Sequence, residues 1–173
     1  MTKKKAVILA VALIVCIVAV FAAACTTEMT TADALAVLTE ASSGVAVADV
    51  TVTVTDSSNT VIYSYPEKVD VPAEIQGVIS SFVPDMNGSG AFNYDSFNFT
   101  GLAVAQQDNV ATLTGQITNM NAFLGTENLS YNGATITATI DTETMRAMTV
   151  DVAYTYSGRA SNFTIAVNTV YNY

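Results

Sequence analysis

Strict alternation of apolar and polar side chains is the strongest constraint that this sequence places on its fold. In Val50–Thr55, valine alternates with threonine, and in Ala134–Ile140 alanine or isoleucine alternates with threonine. Successive side chains of a β-strand point to opposite faces, so this period of two predicts strands with one apolar and one polar face. Strands buried on one side only are typical of an antiparallel sheet.

Comparable patterns extend this prediction along the chain. Further strands are expected over 61–65, 91–100, 102–106, 110–118, 148–156 and 163–171. Met148 is expected to begin the inward face of the segment 148–156, and Gly125–Gly133 is expected to be a loop. The polar clusters Asp56–Asn59 and Asp141–Thr144 are typical of turns. The chain therefore predicts seven or eight strands joined largely as a meander.

Helical periodicity appears twice. Ala32–Ser42 has one apolar face, with Thr31 as the expected N-cap. Pro72 is expected to open a second helix, whose apolar stripe comprises Ile75, Val78, Ile79 and Phe82. We predict an α+β domain in which a curved antiparallel sheet, like a half-barrel, packs on one or two amphipathic helices. An all-β sandwich is the alternative.

The N-terminal segment has a different character. Lys3–Lys5 precede Ala6–Ala24, a stretch with no charged side chain. As a helix this stretch would measure about 28 Å at roughly 1.5 Å per residue, close to the thickness of a bilayer core. Basic residues before an apolar run hold that end in the cytoplasm. The remainder of the chain is therefore expected at the outer face of a membrane.

The junction after this apolar stretch carries a recognisable pattern. The small residues Ala22–Ala24 followed by Cys25 resemble the lipobox of prokaryotic lipoproteins, a resemblance that covers residues 1–25. It implies that the signal is removed and that Cys25 carries a diacylglycerol on its sulfur. An uncleaved anchor, with Ala6–Ala24 as a single transmembrane helix, and simple secretion are the other interpretations.

These observations divide the chain into three parts. Residues 1–24 are a signal peptide or membrane anchor, residues 25–31 are the lipidated cysteine with its tether, and residues 32–173 are a single extracytoplasmic β-rich domain. The expected location is the extracytoplasmic face of the cell membrane, through a lipid or, alternatively, through a single transmembrane helix.

Charge is distributed as unevenly as hydrophobicity. Beyond residue 25, three basic residues face all fifteen acidic ones, a formal charge of −12 compared with −9 for the whole chain. Binding to nucleic acid needs a basic surface that displaces counterions from phosphates. We therefore expect no nucleic-acid partner.

The residue types needed by several common mechanisms are missing. The sequence has no histidine, and its cysteines are Cys16 and Cys25, so Ser-His-Asp and Cys-His catalysis and zinc sites built on these ligands are excluded. Carboxylate pairs such as Asp141 with Glu143, or Asp85 with Asp95, fall in expected turns, where solvent favours a role in chain reversal over acid–base work on a glycoside. We expect no enzymatic activity and no cofactor.

One short segment resembles a calcium loop. Oxygen-bearing side chains at Asp85, Asn87 and Ser89 take the first, third and fifth positions and precede Gly90, as in the opening of an EF-hand loop. The twelfth position is Ser96 instead of a glutamate, and Asp95 is the one carboxylate beside it. We expect a polar turn here, with a calcium site as the alternative.

Aromatic residues fall on the inward faces of the expected strands. They are Tyr63, Tyr65, Tyr154, Tyr156 and Phe163. An incompletely closed sheet with an aromatic interior is able to hold an apolar ligand, so these five are the candidate ligand-facing residues.

The order of elements carries a second resemblance. A helix first and a meander later, behind a lipidated cysteine, resemble the half-barrel lipoproteins that carry lipids or other lipoproteins across the envelope; the likeness covers about residues 30–173. It implies a non-catalytic protein that binds a lipid or another hydrophobic ligand. The alternative is a structural or adhesive surface module with a filled core, which acts through its Thr- and Asn-rich outer face.

Overall fold

The structure is a computed structural model that describes residues 28–67, 71, 73–80, 92–158 and 161–173. Its helices are α1 (Thr31–Glu40), α2 (Ala73–Ile79) and α3 (Met120–Leu124), with a π-helical turn at Ala41–Val45 and a 3-10 turn at Ser96–Asn98. Its strands are β1 (Val47–Thr55), β2 (Val61–Tyr65), β3 (Phe99–Gln107), β4 (Val110–Ile117), β5 (Tyr131–Asp141), β6 (Arg146–Ser157) and β7 (Asn162–Asn172).

All seven strands belong to one curved, unclosed antiparallel sheet in the order β2-β1-β7-β6-β5-β4-β3. The prediction of an α+β domain with a curved antiparallel sheet is confirmed. The sandwich alternative is wrong, because the strands form a single sheet, and helices instead of a second sheet cover its inner face.

Strand β7 holds the two parts of the sheet together. Val167 pairs with Val52 of β1 on one side and with Val152 of β6 on the other. The β1–β2 hairpin is thereby joined to the meander that runs from β3 to β7. Along β7 buried and exposed side chains alternate, as the period-two pattern predicted.

The core lies between the sheet and two helices. Helix α1 buries Ala34, Leu35, Val37 and Leu38, and α2 buries Ile75 and Ile79. The inward side chains at the centre of the sheet, among them Ile136 and Ile165, are almost fully shielded from solvent. The predicted apolar stripes therefore cover the sheet. Of the predicted second helix, Pro72 and Phe82 lie outside the described residues.

The N-cap of α1 is Thr30, one residue before the predicted Thr31. Its Oγ1 accepts a hydrogen bond from the N–H of Asp33 at 3.2 Å, and the Asp33 carboxylate accepts from the Thr30 N–H at 3.1 Å and from the Thr30 hydroxyl at 2.6 Å. This reciprocal capping box requires an acidic or amide side chain three residues after the cap. Asp33 meets that condition for Thr30, whereas Thr31 lies inside the first turn.

One β-bulge corrects the expected strand boundaries at 91–106. Instead of two strands, 91–100 and 102–106, the structure has one strand, β3, preceded by irregular backbone and the 3-10 turn. Gly101 adopts a left-handed φ of 61°, and the register with β4 shifts between Thr100 and Ala103. Gly101 lies in the bulge, so the strand continues past the glycine instead of ending there. The Leu102 side chain then covers Gly115, where an added Cβ would lie 2.7 Å from Leu102 Cδ2.

A second bulge reverses the predicted orientation of Met148. Thr139 pairs with Thr149, and Ile140 pairs with Ala147, so Met148 is the extra residue of β6. Met148 is 42% exposed, whereas Ala147 is buried and takes the inward position. The prediction that Met148 faces inward is therefore wrong, because the alternation of side chains restarts at the bulge.

We expect Thr30→Ala to lower the free energy of unfolding by about 1 kcal/mol, because it removes the side-chain cap of α1. Thr31→Ala is the matched control and is expected to change stability by only a few tenths of a kcal/mol, since this side chain does not cap the helix. Chemical denaturation measures both. Equal losses in the two variants would contradict the assignment of the cap.

The same variant has a pH signature. Hydrogen bonds from Thr30 hold the pKa of Asp33 below its usual value. A carboxyl with a lowered pKa in the folded state stabilises the fold above its unfolded pKa and loses that effect as the pH falls through the folded pKa. The stability advantage of the wild type over Thr30→Ala should therefore shrink on acidification.

Candidate functional site

Three of the five aromatic residues expected to face a ligand are part of the packed core. Tyr63 and Tyr154 are each 2% exposed and Phe163 is 6% exposed. Tyr65 and Tyr156 are partly buried. Tyr156 stacks on Phe163, with ring centroids 6.5 Å apart, and it also lines a cleft. The structure therefore connects this predicted group to a cavity through Tyr156.

The cleft has a volume of about 350 Å³ and lies between α2 and the segment that follows α3. Its lining consists of Ala73, Gly77, Val78, Leu124, Thr126, Glu127, Asn128, Leu129 and Tyr156. Helix α2, Leu124, Leu129 and Tyr156 supply apolar walls, whereas Thr126–Asn128 supply a polar margin. The accessible lining is about evenly divided between polar and apolar atoms, so the cleft could hold a small ligand that has both polar and apolar parts.

Helix α3, which the sequence analysis assigned no structure, positions one wall of the cleft. Asn119 caps it by accepting a hydrogen bond from the N–H of Ala122 at 3.2 Å, and Gly125 ends it with a φ of 64°. A polar cap before an apolar segment and a glycine after it are start and stop signals for a helix. Those signals are present in the sequence, but five residues are too few to show helical periodicity.

Two side chains fix the loop that follows α3. Asn121 Oδ1 accepts a hydrogen bond from the N–H of Leu129 at 2.8 Å, and its Nδ2 donates to the Leu129 carbonyl at 3.5 Å. The Tyr131 hydroxyl donates to the Thr118 carbonyl at 2.6 Å and accepts from the N–H of Met120 at 3.2 Å. These contacts hold Leu129 in the wall of the cleft.

Phe123 anchors α3 to the core behind the cleft. It stacks on Phe92 with centroids 4.9 Å apart, and it meets Tyr94 and Phe99 edge to face, each at 5.7 Å. Such pairs contribute about 0.5–1.5 kcal/mol each beyond the burial of their surface. The rigid support of the cleft is therefore an aromatic cluster that joins the residues before β3 to α3.

The buried phenols are poorly suited to acid–base chemistry. Burial raises the pKa of Tyr94 well above its usual value, and the neighbouring Tyr171 raises it further. Burial likewise raises the pKa of Tyr154. Both side chains therefore remain neutral over the physiological pH range, because burial disfavours the charged phenolate.

The carboxylates considered for catalysis or calcium binding lie in or beside turns where the structure describes them. Asp141 accepts hydrogen bonds from the N–H groups of Thr144 and Glu143, at 3.1 and 2.8 Å, which hold its pKa below the usual value. Asp95 is exposed and precedes the 3-10 turn. Within the described residues, Asp, Glu, His and Cys side chains do not gather in groups of three or more that would suit a metal ion.

The remaining calcium-loop candidates, Asp85, Asn87 and Ser89, lie outside the described residues. The candidate lipidation site, Cys25, also lies outside them, because the description begins at residue 28. Among the helices that the structure describes, none has the length and apolarity needed to cross a membrane.

A shallow trough crosses the outer face of the sheet. It has a volume of about 230 Å³ and is lined by Thr51, Thr53, Thr135, Thr137, Asp151, Val152, Ala153, Ala166, Val167 and Asn168. Asn168 Nδ2 donates to Asp151 Oδ1 at 2.7 Å, so the carboxamide and the carboxylate in its lining are hydrogen-bonded to each other.

Comparison of the chain with known protein families, with curated proteins and with solved structures finds no match. Function is therefore inferred from the chemistry of the cleft and of the sheet surface.

We expect Asn121→Ala to release the loop that lines the cleft, because the N–H and carbonyl of Leu129 lose their partners. Lost hydrogen bonds of this kind cost about 1–3 kcal/mol locally, so the Leu129 amide should exchange its hydrogen at least about tenfold faster, while amides of β6 and β7 keep their rates. Hydrogen-exchange mass spectrometry measures this. Ser130→Ala, an exposed position on the same loop, is the control, and equal exchange in both variants would refute the role of Asn121.

Proposed function

We propose that this protein is a non-catalytic extracytoplasmic binding protein, which holds a small hydrophobic or amphiphilic ligand in the cleft between α2 and the loop after α3. The observation that carries the proposal is the cleft itself, with a volume of about 350 Å³ and walls formed by Val78, Leu124, Leu129 and Tyr156. Ligand pockets commonly measure about 300–1,000 Å³.

The shape and chemistry of the cleft indicate the class of ligand. Its volume lies at the small end of that range, which favours a single apolar chain over a two-chain lipid. Glu127 and Asn128 lie at its margin, so the polar end of the ligand should carry no negative charge. The half-barrel interior is filled by side chains such as Tyr63 and Tyr154, so the ligand is expected beside the helices and not deep inside the sheet.

Gly77 offers a direct test, since a Cβ added there meets no heavy atom within 4 Å. Gly77→Trp should fill the cleft and reduce ligand affinity roughly tenfold or more, equal to about 1.4 kcal/mol, with the fold intact. Gly77→Ala is the control: it should retain binding and strengthen α2 by about 0.5–1 kcal/mol.

The measurement is photolabelling of the full chain in lipid nanodiscs with a diazirine-bearing, uncharged single-chain alkyl amide. Peptide mapping should locate the label at Val78, Leu124 or Leu129 in the wild type and in Gly77→Ala, and show its loss in Gly77→Trp. Label that is insensitive to Gly77→Trp, or that lies elsewhere in the domain, would show that the cleft does not hold the ligand.

A structural or adhesive surface module is the second candidate function. The filled core and the Thr-lined trough on the outer face support it. It differs in its expectation for the same experiment, since a module of this kind would show no labelling at the cleft in any variant.

The proposed location rests on the N-terminal sequence. Lys3–Lys5, the apolar run Ala6–Ala24 and the lipobox-like residues up to Cys25 support export followed by lipid anchoring. Two acyl chains give stable attachment, which a single chain does not. The described domain begins three residues after Cys25, so a lipid there would hold it close to the membrane surface.

We expect Cys25→Ala to abolish incorporation of a radiolabelled fatty acid and to block maturation of the chain. Cys16→Ala is the matched control and should mature and fractionate with membranes like the wild type. If Cys25→Ala matures and fractionates as the wild type does, lipidation is wrong and the uncleaved anchor is favoured.

A further inference from the structure

Strand β3 is the longer of the two strands at the edges of the sheet. It has nine residues, whereas β2 at the other edge has five. In the described part of the chain, β3 pairs with β4 alone. The outer side of an edge strand carries backbone N–H and C=O groups that are able to pair with another chain.

The usual protections of an edge strand are largely missing from β3. From Ser96 to Gln107 the sequence contains no Lys, Arg, Asp, Glu or Pro, whereas β2 is followed at once by Pro66 and Glu67. Charged residues, proline and short length are the means by which proteins keep edge strands apart. The bulge at Gly101 is the one protective feature within β3. Beyond it, the register of β3 with β4 is uninterrupted from Ala103 to Gln107.

The charge of the domain favours contact at this edge. The exposed outward side chains of β3 are Thr100, Ala103, Ala105 and Gln107, all of them neutral. Carboxylates lie on the outer face of other strands of the sheet, for instance Asp49 on β1 and Asp151 on β6. In a domain with a formal charge of −12, two copies therefore meet with less repulsion along β3 than across the β1–β6 surface.

We propose that two copies of this chain pair antiparallel through Ala103–Gln107 of β3, with the twofold axis near Ala105, and form one sheet that continues across both molecules. In this register Asp108 lies opposite Leu102 of the second copy and not opposite another carboxylate. The contact is the same surface on both copies, so it closes as a dimer and does not propagate. The small paired area implies a dissociation constant between about 1 µM and 1 mM.

Disulfide trapping tests the register in the full chain with Cys16 and Cys25 replaced by Ser. Ala105→Cys would place two sulfurs across the twofold axis, where Cα atoms of an antiparallel pair are about 4.5–5.5 Å apart, within the range of a disulfide. Thr112→Cys is the matched control, because Thr112 pairs with Ala105 but lies one strand away from the edge. Oxidation in detergent should give covalent dimers at least about tenfold faster for Ala105→Cys.

Sedimentation velocity supplies the second measurement. Ala105→Lys should raise the dissociation constant at least about tenfold, equal to about 1.4 kcal/mol, because two ammonium groups would meet at the axis, whereas Thr112→Lys should behave like the wild type. A wild type that is monomeric up to about 1 mM would overturn the proposal. So would dimers that Ala105→Lys leaves unchanged, since they would be held elsewhere, for example through Ala6–Ala24.

Discussion

The insertion of β7 between β1 and β6 is the contact on which the rest of the molecule depends. A two-stranded hairpin is at best marginally stable in water, so β1–β2 needs the ladder to β7. The same ladder brings Val50, Val52 and Val54 over the helices that close the core. Because β1 and β7 lie at opposite ends of the domain sequence, their pairing closes a long loop, and such non-local contacts slow folding.

The sequence predicted the elements of the sheet better than their details. The alternation of apolar and polar residues identified the strands, because one face of the sheet is buried and the other is exposed to solvent. Val50–Thr55 and Ala134–Ile140 show this directly. The bulges at Gly101 and Met148 escaped prediction, because a bulge is defined by the pairing with a neighbouring strand. The helix cap was misplaced by one residue, since Thr30 and Thr31 are chemically identical and differ only in their spacing to Asp33.

The candidate site was less accessible to sequence reasoning, for two physical reasons. Its walls come from α2, from the loop after α3 and from the end of β6, which are distant in the chain and meet only in the folded protein. The inward aromatic residues were predicted as a possible ligand surface, yet an inward face is also what packs against the helices. Tyr63, Tyr154 and Phe163 accordingly fill the core, and Tyr156, near the end of its strand, reaches the cleft.

The two ends of the sheet have different neighbours, and this separates the cleft from the point where the N-terminal segment joins the domain. The N–H of Met29 donates to Gln106 Oε1 at 3.2 Å, near the end of β3 that lies beside the β5–β6 turn. Leu129 and Tyr156 lie at the opposite end of β5, whose eleven residues span roughly 36 Å at about 3.3 Å each. If the N-terminal segment anchors the domain as proposed, the cleft lies at the end of the sheet that is far from this attachment.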